Sequence, residues 1–141
     1  RKKIRLRSYS KKEHETEKTA LEIKSSSVEG RFKTTSKNFD LKKIMKIGIL
    51  DKDYGVCKPV IRVSYKRDYY KVLNVRLTID RYIEYTKLNS QGRNIYKKYE
   101  PNIIVEIKAE NVVPLEYLFK NFPFNRVRFS KYSRAINSVL M

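Results

Sequence analysis

Charge and hydrophobicity alternate with a period of two in one segment of this chain after another. From Ile4 to Tyr9, Ile4, Leu6 and Ser8 fall on one side and Arg5, Arg7 and Tyr9 on the other. Successive side chains of a strand point to opposite faces, so the segment reads as a strand with one charged face. The pattern returns in Ala20 to Ser25, where Leu21 and Ile23 oppose Glu22 and Lys24. It returns again in Val28 to Thr34, where Phe32 opposes Arg31 and Lys33 and Gly30 marks a bulge or bend. Val60 to Arg67 and Val72 to Tyr85 are rich in β-branched and aromatic residues and read as long antiparallel strands. In the second of them Val75, Leu77 and Ile79 oppose Arg76, Thr78 and Asp80; in Ile103 to Lys108, Val105 and Ile107 oppose Glu106 and Lys108. Ser10 to Lys18, which contains His14, and Leu88 to Pro101 read as polar connections, and Asp51 to Gly55 as a turn.

Three segments carry helical spacing instead. Asn38 or Asp40 is placed to cap a short helix with Leu41, Ile44 and Met45 on one stripe and Gly48 as its stop. Pro114 suits the first turn of a helix bearing Leu115, Leu118, Phe119 and Phe122. Ser130 can cap a last helix whose stripe is Tyr132, Ala135, Ile136, Val139 and Leu140. The expected class is α+β, mainly antiparallel β, in a single domain over residues 1–141.

What the charged faces do depends on what the apolar faces meet. The chain has 33 Lys+Arg against 15 Asp+Glu, a formal charge of +18. So large an excess repels itself in a compact state unless an anion binds, which points to a polyanionic partner. If helices cover the apolar faces from outside, the charged faces converge into the lumen of a closed barrel, and an anion completes the interior. The plainer alternative is a basic but solvated sheet face. Within a lumen, Glu22, Asp80 and Glu106 would orient the bases or hold a hard divalent cation. The near copies Leu21-Glu22-Ile23-Lys24 and Val105-Glu106-Ile107-Lys108 suit a barrel of two similar halves.

Cys57 is the one cysteine, so no intrachain disulfide forms, and a reducing cytoplasm is the expected location. No apolar run approaches the length of a membrane span. The chain does not begin with Met, and Ile4 to Tyr9 already reads as a strand interior, so an N-terminal portion is expected to be absent.

Six pieces taken in order carry a resemblance. They are Lys3-Ile4-Arg5-Leu6-Arg7-Ser8-Tyr9, Leu21-Glu22-Ile23-Lys24, Tyr65-Lys66-Arg67, Val75-Arg76-Leu77-Thr78-Ile79-Asp80, Val105-Glu106-Ile107-Lys108 and Arg128-Phe129-Ser130-Lys131-Tyr132. In order and spacing the chain resembles the VTC domain of the triphosphate tunnel, CYTH-like superfamily. The resemblance implies an antiparallel tunnel barrel of about eight strands with a charged lumen and helices outside. It implies that Arg5, Arg7, Lys24, Arg67 and Lys131 are catalytic, that Lys33, Tyr65, Arg76, Lys108 and Arg128 bind phosphate, and that Glu106 binds Mn or Mg. The implied reaction moves the terminal phosphoryl group of ATP onto growing polyphosphate. The attacking phosphate oxygen is already anionic, so positioning and charge neutralisation suffice and no general base is needed.

Two departures accompany the resemblance. The family's opening strand has no counterpart here. Tyr65 and Arg67 share strict alternation with Ile61 and Val63, and a bulge near Ser64 would reconcile them with the lumen. Other readings are a tunnel triphosphatase, a silent polyphosphate binder and a nucleic-acid module. The last lacks an RNP-like aromatic pair or a Gly-x-x-Gly clamp, so nucleic acid is not the expected partner.

Overall fold

The computed structural model describes residues 2–9 and 18–141, so the expected loop from Ser10, with His14, lies outside the described residues up to Lys18, which opens a strand. The chain divides into two compact units, Arg1–Pro59 and Val60–Met141.

In the first unit, alternation dictates a three-stranded antiparallel sheet in the order β1 (Lys2–Tyr9), β2 (Lys18–Ser26), β3 (Arg31–Ser36). Arg5 pairs with Glu22 and Lys24 with Lys33, so one face carries Arg5, Arg7, Glu22, Lys24, Arg31 and Lys33 while Ile4, Leu6, Leu21, Ile23 and Phe32 fall on the other. Gly30, at φ +146°, sits in the connection before β3 and not within it. Helix α1 (Leu41–Ile47) is capped by Asp40, whose Oδ1 accepts from the Lys43 amide at 3.0 Å, and it buries Ile44. Gly48 ends it at φ +90°. The expected turn at Asp51–Gly55 joins two short strands that the sequence pattern does not announce, β4 (Ile49–Asp51) and β5 (Gly55–Cys57). Lys2 Nζ donates to both Asp51 and Asp53 at 2.7 Å, tying β1 to that turn.

The second unit is built around β7 (Val75–Leu88), which pairs with β6 (Ile61–Val72) along one edge. Its other edge is shared by β8 (Asn94–Tyr99) and β9 (Ile104–Ala109), both antiparallel to it. The connection expected from Leu88 to Pro101 therefore contains a strand: Asn-Ile-Tyr-Lys-Lys-Tyr is exposed along its length and lacks the apolar face that marks the others. The hairpin turns at Leu73–Asn74, so Val72 closes β6 and does not open β7.

The β6–β7 register shifts between Ser64 and Lys66: Ser64 pairs with Glu84, but Lys66 pairs with Arg81. Two residues of β7, Tyr82 and Ile83, thus stand opposite Tyr65, and Tyr82 takes up the extra residue at φ +53°. The expected irregularity near Ser64 is present, with the added residue on β7. Strand β6 keeps its alternation, so Val63, Tyr65, Arg67 and Tyr69 share one face. Strand β7 changes parity across the bulge, so Asp80 and Tyr85 both join that face.

Helix α3 (Lys131–Val139) packs on the same face. Its Ala135 and Val139 meet Ile83 and Tyr85, with Ile61, Val63, Tyr65 and Ile104 around them. Burying these apolar side chains is the main stabilising contribution in this unit. Helices were expected on the apolar side opposite the charges; α3 instead lies on the face that carries Arg67 and Asp80, over its apolar end. Of its expected stripe, Tyr132 and Leu140 are exposed. Helix α2 (Leu115–Asn121) buries none of its residues, and Pro114 is its N-cap.

The mainly antiparallel α+β class is as expected. Among the described residues the strands form sheets of three, two and four strands, and no closed barrel is found. Among the same residues no helix is long and apolar enough to cross a membrane.

Candidate anion-binding faces

Each unit carries a cationic sheet face organised by one buried carboxylate. In the first unit this is Glu22, which keeps 3 % of its surface. Arg5 Nε donates to Oε2 at 2.6 Å, Lys33 Nζ lies 3.2 Å and Arg7 Nη1 3.5 Å from Oε1. Burial pushes Glu22 up, but the hydrogen bonds from Arg5 and Lys33 outweigh it and hold the carboxyl below its usual range. Lys24 is in the opposite condition: burial, then the charge of Arg5, depresses its ammonium, against the pull of Glu22. One carboxylate cannot neutralise this face, and an added anion would relieve the repulsion that remains.

In the second unit the carboxylate is Asp80, with no exposed surface. It accepts from Arg67 Nε at 2.5 Å and Nη2 at 2.7 Å, and Lys131 pairs with its Oδ2. Burial raises Asp80, and the bonds from Arg67 and Lys131 more than reverse that, so it stays ionised. Arg67 is held between Tyr65 and Tyr69, 5.1 and 5.7 Å from the ring centres, and Lys131 stands 5.0 Å over Tyr65. Lys131 reaches this point because α3 begins there, capped by Ser130. Beneath α3, Glu100 accepts from Tyr85 at 3.0 Å and from Arg134 at 3.2 Å, which fastens the helix to β7.

Register extends this second face. Arg76 pairs with Lys108 of β9 and Lys71 of β6, and Thr78 with Glu106 and Tyr69, so these side chains share the face with Arg67 and Asp80. Glu106 lies 3.1 Å from Lys108 Nζ and 4.0 Å from Arg67 Nη2.

Of the expected site residues, Arg5, Arg7, Lys24 and Lys33 come together around Glu22. Tyr65, Arg67 and Lys131 come together around Asp80, with Arg76, Glu106 and Lys108 on the same face. Arg128 lies exposed in the extended segment before α3. Tyr69 and Lys71 lie on this face too, where alternation from Arg67 along β6 places them. Glu100 carries no sequence signal, because its burial depends on a helix far along the chain.

Among the described residues no three acidic, cysteine or histidine side chains gather at one point. Glu106 offers a single partly exposed carboxylate beside the cations. That suits a Mg- or Mn-type ion which takes its remaining ligands from phosphate oxygens and water, and not a site built wholly from protein.

Residues 44–140 match the family model of the VTC domain. The matched segment holds the whole Asp80 face and excludes Arg5, Arg7, Lys24 and Lys33. No curated protein and no solved structure matches the chain.

Proposed function

The chain belongs to the VTC domain family, a family of polyphosphate-related function, and from that premise we propose that it is an ATP-dependent polyphosphate polymerase domain. The observation that carries the reading is the joining of Arg67 and Lys131 by Asp80 on the face that also bears Arg76 and Lys108. A guanidinium has five N–H donors. Asp80 engages Nε and Nη2 of Arg67, which fixes the plane of the group, and a ligand oxygen would compete with Tyr69 for its remaining donors. Lys131 keeps protons beyond the one directed at Asp80. Both cations are thus held in place before any substrate arrives, and little reorganisation accompanies reaction.

In the proposed reaction a terminal oxygen of the polyphosphate chain attacks the γ-phosphorus of ATP. The bond to the β–γ bridging oxygen breaks, and ADP leaves with that electron pair. The nucleophile is anionic at neutral pH, so no side chain needs to accept a proton. Arg67, Arg76, Lys108 and Lys131 bind and orient the phosphates, with Tyr65 walling the two central cations. Glu106 is the residue that would hold a Mn or Mg ion, which would supply further neutralisation of the transferred group. Arg5, Arg7, Lys24 and Lys33, around Glu22, serve in this reading as a second phosphate-gripping face.

The test is to incubate the chain with ATP and Mn and to separate the products. The expected result is ADP together with long-chain polyphosphate, and R67A is expected to lower turnover by about a hundredfold or more. Free phosphate without chain growth would make it a triphosphatase. Polyphosphate binding without ATP consumption would make it a silent binder.

A further inference from the structure

One hydroxyl on the Asp80 face is buried without a protein partner. Thr78 keeps 5 % of its surface, and its Oγ1 has no hydrogen-bond partner among the described residues. It stands between Arg76 and Asp80 in the alternation of β7, opposite Glu106 on one side and Tyr69 on the other. Arg67, which pairs with Asp80, approaches Glu106 to 4.0 Å from across β7. By register that contact crosses β7 between the Asp80 and Thr78 positions, beside the covered hydroxyl.

A buried hydroxyl that makes no bond is destabilising, and valine would fill nearly the same space without that penalty. The cover is light. Glu106 has 43 % of its side chain exposed and lies at the limit of ion-pair distance from Arg67, so an anion of higher charge can take its place. Resting on the polyphosphate reading above, we propose that Thr78 Oγ1 donates a hydrogen bond to a non-bridging oxygen of a phosphoryl group held between Arg67, Arg76 and Lys108. Glu106 fills that position in the free protein. A tetrahedral phosphoryl group presents oxygens in several directions at once, so the cations can hold two while a third accepts from the hydroxyl below. Thr78 thereby adds a neutral, directional contact beside the cations.

Thermal melting and tripolyphosphate titration of the wild-type chain, T78V and T78S decide the matter. Without ligand, T78V is expected to melt at or above the wild-type temperature. It is expected to bind tripolyphosphate about five- to tenfold more weakly, the loss of one ordinary hydrogen bond, while T78S stays within about twofold. A purely structural threonine would show the reverse order in the free protein. If T78V binds as tightly as wild type, or melts several degrees lower without ligand, the proposal is overturned and the polyphosphate reading stands. If the wild-type chain binds no tripolyphosphate, both fall.

Discussion

Arg67 and Asp80 face each other across β6 and β7, with Nε 2.5 Å from Oδ1 and Nη2 2.7 Å from Oδ2. The carboxylate has no exposed surface, and Lys131 also pairs with it. A buried ion pair by itself says little about stability, since desolvation offsets much of the attraction. Here it sets the direction of two cations, and the first prediction follows from removing it.

Asp80→Ala leaves Arg67 and Lys131 close together without their shared counter-charge. The expected loss is about 3 kcal/mol, as for other buried pairs that lose one partner, measured by urea unfolding. Polyphosphate is expected to raise the melting temperature of this variant more than that of the wild type, because the ligand replaces the missing negative charge. Equal shifts would argue that the ligand does not reach Arg67 and Lys131.

Acid should unfold the chain chiefly through its buried carboxylates. Glu22, Asp80 and Glu100 are each held below their ordinary values by the cations and donors around them, against the effect of burial. For a depressed acid the unfolded state binds protons first as pH falls, so stability is fully present above the unfolded pKa and is lost through the lower folded value. Unfolding free energy is expected to be flat from neutral pH to about pH 5 and to fall below about pH 4. Glu22→Gln should make the fall shallower, and an unchanged slope would remove Glu22 from this account.

Gly48→Ala strains the first unit twice over. The backbone there has φ +90°, and an added Cβ would lie 2.7 Å from the carbonyl oxygen of Cys57. Backbone atoms do not move aside cheaply, and a loss of about 2 kcal/mol is expected in thermal melting. Gly55→Ala, which meets nothing within 4 Å and has φ +71°, should lose less.

The β7 bulge can be tested by deletion. Removing Tyr82 lets β7 alternate strictly through Asp80, Ile83 and Tyr85, which keeps all three on one face with Ile83 opposite Tyr65. The variant is expected to unfold cooperatively and to keep both the Arg67–Asp80 pair and the packing of α3, and loss of a cooperative transition would mean that the added residue itself is required. Tyr82→Gly keeps the extra residue and suits φ +53°; it should fold and stay within about 1 kcal/mol of wild type. Loss of folding in the glycine variant would mean that the tyrosine ring is what matters.

Much of the candidate site was legible in the chain because strand geometry is local. Alternation alone put Arg5, Arg7 and Lys24 on one face and Arg76 and Asp80 on another, and the same rule would have found Lys71 and Tyr69. Short elements were less legible. Strands β4 and β5 are three residues each, and exposed β8 has no apolar face to betray it. Helix α2 shows the limit from the other side, since its apolar stripe is plain in the sequence yet buries nothing.

The sequence by itself determined which residues share a face, the caps of α1 and α3, the charge that calls for an anion, and membership of the VTC domain family. Only the tertiary structure decided which face α3 covers, that the extra residue near Ser64 falls on β7, and that Asp80 gathers Arg67 and Lys131. The reason is range. Alternation and capping involve neighbours a few residues apart, whereas a buried carboxylate chooses its cations by what distant strands and helices bring within 3 Å of it.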